Sequence, residues 1–386
     1  QYLAREYGIN IPSPPAGEGK GEGFSKANAA FEKWLKTHHP FHWFIEFYGI
    51  LKDGGFDVII GNPPYVEYSK VKNEYTIKGY KTESCGNLYA TMIERSMNLL
   101  DNHGSFGFIV PISLVCTQRM APVQTALSGS SRTVWVSDYA ERPSKLFVGA
   151  EVLLTIAIAK ADNTGTHNLY STSFTKWSSN ERDSLFDRTK YSSVDAKLKP
   201  YVIPKLGCAT EATILKKIIK LNGKLARYFL KLSKYPIYYR IGGGRYWKIF
   251  TNFQPQFILN NKKEVSSREN YLYIEDATLR DVIIAILSSS FFYWYFILTT
   301  NCRDLNPSDL NEFPIDSLSK YNILKLSELC KQLMEDYKSK CQMKGKTSSL
   351  TGHIVYQEFY PRLSKPLINE IDQVLAKHYG FTDEEL

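Results

Sequence analysis

A short apolar run that leads into a proline-stiffened loop constrains the fold of this chain more than any other feature. Phe56-Asp57-Val58-Ile59-Ile60 follows Gly54-Gly55, and a run of this length and composition favours a buried parallel strand. Asn62-Pro63-Pro64-Tyr65 comes next. Ligands of open α/β sheets bind at the carboxyl ends of the strands, so we expect the chemistry of this chain to lie at the tetrapeptide.

Strands and helices are predicted to alternate through residues 41–162. The predicted strands after the first are Ser105–Val110, Thr133–Ser137 and Val152–Lys160, and the predicted helices cover about residues 86–101 and much of Ser113–Leu127. This order is typical of a doubly wound α/β sheet.

The pattern changes after residue 162. Residues 163–318 mix short β-like runs with many Tyr and Trp residues and two predicted helices, Glu211–Leu221 and Leu279–Phe296. Residues 319–386 are predicted to be a helical region, with helices at Asn322–Gln342 and Ser364–Tyr379. Residues 1–40 are interpreted as a linker and the remnant of an upstream region, because the glycines of Pro12–Gly23 follow no strand and so do not form a nucleotide loop.

Composition narrows the functional classes only slightly. The 386 residues carry a formal net charge of +9, which weakly favours a polyanionic partner but also fits an ordinary basic protein. No two of the six cysteines have C-x-x-C spacing, so no metal site is assigned and a reduced, cytoplasmic protein is expected. The apolar stretch Val282–Leu298 contains three serines and is interpreted as a buried helix, with no membrane as partner.

Each residue of the tetrapeptide suits one chemical task. An exocyclic amine on an aromatic base is a poor nucleophile, because its lone pair is delocalised into the ring. The side-chain oxygen of Asn62 and the backbone carbonyl of Pro63 could accept its two hydrogens and localise that lone pair. The prolines fix the backbone, and Tyr65 offers a flat face for a base flipped out of a duplex. The alternative is a plain proline-stiffened turn that begins with Asn.

Gly55–Val66, with the tetrapeptide inside it, resembles the adenine-specific (N6) DNA methyltransferases, particularly those of type IIG-like restriction-modification enzymes. Further matching segments follow in the family's order: Asn87-Leu88-Tyr89, Gly104–Ile112, Ser144–Lys160, Ile203-Pro204-Lys205, Tyr238-Tyr239-Arg240, Arg303–Asn306, Glu312–Ile315 and Tyr356–Phe381. The likeness covers roughly residues 41–386, and the tetrapeptide is its most specific piece.

The resemblance implies a partial Rossmann-like methyltransferase sheet in residues 41–162, a mixed α+β target-recognition domain in residues 163–318 and C-terminal helices. It implies S-adenosyl-L-methionine as methyl donor, with Asn62 and Asn87 as cofactor-binding residues. Asn62, Pro63, Pro64 and Tyr65 would be catalytic. The expected partner is double-stranded DNA with a flipped adenine.

Basic and aromatic residues interleave in residues 234–248, where two arginines flank three glycines. Such a turn could enter a groove or clamp a phosphate. The residues predicted to bind DNA are Arg240, Arg245, Tyr246, Trp247 and Arg303. The alternatives are an ordinary hairpin with solvated arginines and, for the segment at Arg303, a helix cap.

The donor site is expected to be incomplete. The family's Gly-rich donor loop and acidic residue precede the tetrapeptide, but none of the 61 residues before Asn62 shows a strand, a Gly-rich turn and a helix in that order. A missing N-terminal half or a partner subunit would complete the site, and the isolated chain is predicted to be inactive. Rival hypotheses are methylation of an RNA base or a protein glutamine, and a DNA-specificity fragment with no activity.

Overall fold

The computed structural model describes residues 32–33, 36–37, 41–129, 132–149, 151–161, 167–242, 247–348 and 352–385. The chain divides into two compact units, Gln1–Phe56 and Asp57–Leu386. The first unit contains two short helices, α1 (Trp43–Glu46) and α2 (Tyr48–Lys52). Its aromatic rings cluster: those of Trp43 and Phe47 stack with centroids 5.6 Å apart, and Phe56 meets both edge-on. Most of the predicted linker, residues 1–40, lies outside the described residues.

A six-stranded sheet opens the second unit. Its elements are β1 (Phe56–Gly61), α3 (Leu88–Leu99), β2 (Leu100–Pro111), α4 (Ser113–Cys116), α5 (Ala121–Ser128), β3 (Arg132–Tyr139), β4 (Leu154–Ala161), β5 (Asn168–Thr175) and β6 (Ser192–Ser193). The strand order is β1-β2-β4-β3-β5-β6. The four strands predicted in residues 41–162 are all present, and β5 and β6 extend the sheet beyond residue 162.

The expected doubly wound α/β sheet named only β1 as a parallel strand, and the structure shows that the sheet is mixed. β4 runs antiparallel to both of its neighbours, β2 and β3, whereas β3 and β5 are parallel. The reason is the connection: no helix lies between β3 and β4, and a chain that returns without a helical crossover pairs antiparallel.

The core of the sheet region forms where α3 presents one apolar face. Tyr89, Ile93 and Met97 recur every four residues and are buried, as predicted from the periodicity. They pack in one hydrophobic cluster with Phe106 and Phe108 of β2. The predicted Leu100 falls just past α3, as the first residue of β2.

Two smaller sheets and a helical layer follow. The elements are α6 (Ala209–Ile218), β7 (Tyr235–Arg240), β8 (Phe250–Thr251), β9 (Phe257–Leu259), β10 (Lys262–Lys263), β11 (Glu269–Ile274), α7 (Ala277–Leu287), α8 (Ser290–Thr299), α9 (Pro307–Asn311), α10 (Lys320–Lys340), β12 (Gln342–Ser348), β13 (Gly352–Glu358) and α11 (Lys365–Tyr379). The sheets have the orders β11-β7-β8 and β10-β9-β13-β12. Helices α6, α7, α8, α10 and α11 bury their apolar faces in one shared core.

The single helix predicted at Leu279–Phe296 is wrong. The structure has two helices, α7 and α8, that meet at 61°. The break falls at Ser289, whose side chain accepts a hydrogen bond from the backbone N–H of Phe292 and so starts a new helix. Most residues of both helices are buried in the shared core.

The C-terminal region is not purely helical, which is a second correction. The hairpin β12–β13 lies between α10 and α11 and pairs through β13 with β9, about a hundred residues earlier in the chain. Local sequence gives little sign of it, because β12 is polar and contains a glycine.

Within the described residues, no single helix is long and apolar enough to cross a membrane, and only the bent pair α7 and α8 has the length and composition when taken together.

Candidate active site

The tetrapeptide lies directly after β1, as predicted. The prediction that this strand is buried is wrong, because β1 is at the edge of the sheet and half of its residues are exposed. Asn62 and Pro64 are exposed, Pro63 is buried and Tyr65 is half-buried. The backbone at Gly61 passes close to β2, since a Cβ atom there would lie 3.2 Å from the ring of Phe108 and the ring would have to shift slightly. This close approach holds the start of the loop against β2.

The hydroxyl of Tyr65 organises the loop. Its oxygen lies 2.6 Å from Oδ1 of Asn62 and 2.9 Å from the backbone carbonyl oxygen of Ile109 in β2. Burial raises the pKa of the Tyr65 hydroxyl to about 12, so this group stays a proton donor at neutral pH. Sequence reasoning predicted a stacking face for Tyr65 and missed this hydrogen bond, because Ile109 is distant in the chain.

Asn62 keeps capacity for a substrate. An amide oxygen has two lone pairs, and Tyr65 occupies one of them. The exposed side chain can therefore accept a second hydrogen bond from an amine that enters the loop.

Asn87, predicted to bind the cofactor, is buried at the N-terminus of α3. Its Oδ1 accepts a hydrogen bond from the backbone N–H of Tyr89 at 3.4 Å, and its Nδ2 donates to Oε1 of Glu67 at 3.2 Å. Both polar atoms of this side chain are therefore engaged within the protein.

Glu67, two residues after the tetrapeptide, joins three segments and was missed by sequence reasoning. Its carboxylate accepts hydrogen bonds from Asn87 and from both terminal nitrogens of Arg119, at 2.5 and 2.9 Å. The hydrogen bond from Arg119 lowers the pKa of Glu67. These contacts tie the segment after the catalytic loop to the start of α3. The spacing of charges in the sequence carries no sign of the pair.

A second carboxylate, Glu94 of α3, binds the segment that connects β1 to α3. It accepts hydrogen bonds from the backbone N–H groups of Lys81 and Thr82, at 3.1 and 2.9 Å. Both ends of residues 66–87 are thus held by carboxylates, and the candidate catalytic loop is braced on its C-terminal side.

The structure brings together two of the segments predicted to bind DNA. The Nζ atom of Lys248 donates to the backbone carbonyl of Arg303 at 2.8 Å, and the N–H of Leu305 donates to the carbonyl of Ile241 at 2.9 Å. The segment that follows Arg240 therefore lies beside the loop at Arg303.

The predicted DNA-binding residues differ in their exposure and in their contacts within the protein. Arg240 and Arg303 are exposed. Trp247 is half-buried and stacks on Tyr293 with ring centroids 4.7 Å apart, so one of its faces is used inside the protein. Arg245 and Tyr246 lie outside the described residues.

Among the residues that the structure describes, no three His, Cys, Asp or Glu side chains are grouped so as to hold a metal ion. The six cysteines are all unpaired thiols.

Comparison with known proteins gives a family match that includes the candidate active site. The sequence model of the Eco57I restriction-modification methylase family matches residues 18–142. A putative type II restriction enzyme and methyltransferase of Methanocaldococcus jannaschii is 40% identical over 89 residues, which are 23% of this chain and 8% of that protein.

Solved structures of restriction-modification enzymes are similar at low identity. The type IIL enzyme MmeI in complex with DNA gives a TM-score of 0.45 at 11% identity, over 84% of this chain and 54% of that chain. A nuclease-deletion mutant of the type ISP enzyme LlaGI with a DNA substrate mimic gives 0.41 at 10% identity, over 91% and 41%. The chain thus spans about half of these structures or less. The predicted resemblance to restriction-modification methyltransferases is confirmed by the match over residues 18–142, the segment that contains Asn62–Tyr65.

Proposed function

We propose that this chain is the acceptor-base and target-recognition part of a cytoplasmic, site-specific DNA methyltransferase. The enzyme would transfer a methyl group from S-adenosyl-L-methionine to the exocyclic amine of adenine, within a restriction-modification or related defence system. The observation that carries the proposal is the exposed Asn62 at the carboxyl end of β1, oriented by the Tyr65 hydroxyl, inside the segment that matches a methylase family.

The loop would act by positioning and polarising the amine of a flipped base. The free lone pair of Asn62 Oδ1 and the carbonyl of Pro63 accept the two amine hydrogens and localise the amine lone pair on the nitrogen. As the nitrogen–carbon bond forms, the carbon–sulfur bond of the donor would break with its electron pair going to sulfur, and one amine proton would be released to water. The ring of Tyr65 lies beside the base while its hydroxyl holds Asn62. A bound S-adenosyl-L-methionine supplies an electrophilic methyl group on a sulfonium.

The proposed donor site is incomplete in the described residues. Asn87 already makes one hydrogen bond at each of its polar atoms, to α3 and to Glu67, and so has only part of its capacity left for a donor. β1, the edge strand next to the loop, carries apolar side chains that no described residue covers: Val58 is 63% exposed and Ile60 82%. Apolar side chains on an exposed edge strand favour a missing neighbour. We propose that a further segment or a partner subunit packs there and completes the donor site.

The test is transfer of a tritiated methyl group to unmethylated duplex DNA, RNA and protein, with and without the segment or chain that completes the donor site. We expect activity only on DNA and only in the completed enzyme. Transfer to RNA or to a protein glutamine would favour those substrates instead. DNA binding without transfer in the completed assembly would identify a DNA-specificity fragment.

The Asn62→Ala variant tests the role of the loop. Methyl transfer should fall by at least a hundredfold, because an aligned acceptor for developing charge contributes on the order of 3 kcal/mol. DNA affinity should be unchanged. The matched control is Asn102→Ala, which removes another exposed Asn at the start of β2. Persistent transfer in Asn62→Ala would refute the proposed mechanism.

A further inference from the structure

The four-stranded sheet β10-β9-β13-β12 was not expected from the sequence, and it stands apart from the hydrophobic cores. Its central apolar residues belong to no hydrophobic cluster of described residues; they are Phe257, Ile258, Leu259, Ile354 and Val355. Its base is anchored, because Phe359 directly follows β13 and packs against Tyr337 with ring centroids 5.8 Å apart. From that base, β12 extends seven residues, roughly 20 Å.

The turn of the β9–β10 hairpin is joined to β13. Asn260 and Asn261 form the two-residue turn between β9 and β10 with positive φ angles of 49° and 66°, the conformation of a tight hairpin turn. The N–H of Asn260 donates to the carbonyl of His353 at 2.8 Å, and the N–H of His353 donates to Oδ1 of Asn260 at 2.9 Å. The turn is therefore held against the second residue of β13.

Lysines flank the apolar centre of the sheet on both faces. Lys262, Leu259, Ile354 and Lys346 form one row across the four strands, and directly paired residues project to the same face. In the adjacent row Lys263 is paired with Ile258, so Lys263 projects from the opposite face.

Acidic residues are few around these lysines, although the exposed Glu264 directly follows Lys263 in the chain. The only carboxylate within the four strands is Glu358, and it is paired with Lys344. Lys262, Lys263 and Lys346 are exposed and form no ion pair with any described residue. A projecting ribbon with cations on both faces fits a groove whose two walls are lines of phosphates.

We propose that the paired hairpins β9–β10 and β12–β13 form a DNA-contacting element of this protein. The Asn260-Asn261 turn, with only the two strands that it joins, enters the major groove, which is about 12 Å wide and admits a two-stranded ribbon. Lys262, Lys263 and Lys346 contact the flanking phosphates, and the exposed side chain of Asn261 faces base edges. This inference rests on the proposed function for its partner, duplex DNA, and adds a contact surface outside the arginine and tryptophan positions predicted from the sequence.

The test is duplex binding by the full chain, measured by fluorescence anisotropy over a range of salt concentrations. The variant is Lys262→Ala/Lys263→Ala/Lys346→Ala. The slope of log affinity against log salt concentration should decrease in magnitude by roughly 2 to 3, because each lost phosphate contact reduces that slope by about 0.9. The charge-matched control is Lys231→Ala/Lys320→Ala/Lys331→Ala, which removes three exposed lysines elsewhere and should leave the slope unchanged.

A second variant separates base contact from charge. Asn261→Gly keeps the turn, since glycine adopts positive φ freely, and should reduce discrimination between duplex sequences with no change in salt slope. An unchanged slope in the triple lysine variant would overturn the inference while the proposed function stands. No duplex affinity in the wild-type chain would count against both. Self-association of the chain that the triple variant abolishes would assign the surface to a second copy instead.

Discussion

At the candidate catalytic loop, Tyr65 has one hydroxyl proton and two acceptors within hydrogen-bonding distance, Asn62 Oδ1 and the carbonyl of Ile109. The proton is shared between them or donated to one at a time: the bond to Ile109 ties the loop to β2, and the bond to Asn62 orients its side chain. The residue types of the tetrapeptide predicted where an amine would be held. Only the structure shows what holds Asn62, because the anchoring carbonyl is 44 residues away.

The Tyr65→Phe variant removes this hydroxyl and keeps the ring. In the completed enzyme we expect methyl transfer to slow by about fivefold, since a neutral hydrogen bond contributes about 1 kcal/mol and 1.36 kcal/mol is tenfold in rate. Single-turnover rates measure the effect. DNA affinity should be unchanged, because the ring remains. The control is Tyr75→Phe, whose side chain is exposed; equal rates for the two variants would contradict an orienting role.

At the scale of single elements, helix and strand positions were predicted well where periodicity was strong, as in α3 and β2. The failures have local causes. The stretch from α7 to α8 is apolar all round, so its pattern contains no sign of a bend, and three serines in a row were read as an interruption within one helix. The hairpin β12–β13 has partners distant in the chain, and strand pairing of that kind depends on tertiary context.

Ser289 determines the break between α7 and α8. Its Oγ accepts from the N–H of Phe292 at 3.0 Å and donates to the carbonyl of Ile286 at 2.6 Å, and the side chain is buried. Ser289→Ala should lower the free energy of unfolding by about 1–2 kcal/mol, the usual cost of losing a helix cap. Urea denaturation measures it.

The matched control is Ser319→Ala at the N-terminus of α10. Ser319 accepts from the N–H of Asn322 at 3.1 Å but is exposed, so water can replace its hydroxyl. The decrease in the free energy of unfolding should therefore be smaller than for Ser289→Ala. In that variant the N–H of Phe292 is left buried without a partner and bears the full desolvation cost. A larger loss for Ser319→Ala would show that burial does not set the effect.

Across the whole molecule, a buried charged pair lies where the sheet core meets the helical core. Ile203 belongs to the hydrophobic cluster of the six-stranded sheet, and Leu206 belongs to the cluster shared by the helices. Between them, Lys205 is buried and its Nζ donates to the carbonyl of Thr300 at 2.8 Å. Asp138 of β3, also buried, accepts from Thr155 and lies close enough to Lys205 for attraction between their charges.

Burial raises the pKa of Asp138 to about 6, although Lys205 and Thr155 oppose the shift. An unfolded Asp has a pKa of about 3.9. The folded chain therefore holds the proton more tightly, and the stability from this group is full below about pH 4 and lost as pH rises through about 6. The total is at most about 3 kcal/mol, at 1.36 kcal/mol per pKa unit.

In Asp138→Asn this part of the pH dependence should disappear, so the free energy of unfolding should fall less than in the wild type between about pH 4 and pH 6.5. Urea titrations at several pH values provide the comparison. Asp187→Asn, which changes an exposed carboxyl, should retain the wild-type slope. A slope for Asp138→Asn identical to wild type would show that Asp138 does not titrate in this window.

The sequence by itself predicted the position of the Asn-Pro-Pro-Tyr loop after a strand and most of the helices and strands around it. The reason is that both depend on residues near one another in the chain: β1, the prolines and Asn62 form one short segment. The tertiary structure alone decided the mixed direction of the sheet, the partners of Tyr65 and Glu67, and the pairing of β13 with β9. Each of these joins residues distant in the chain, and local pattern carries no information about which distant groups meet.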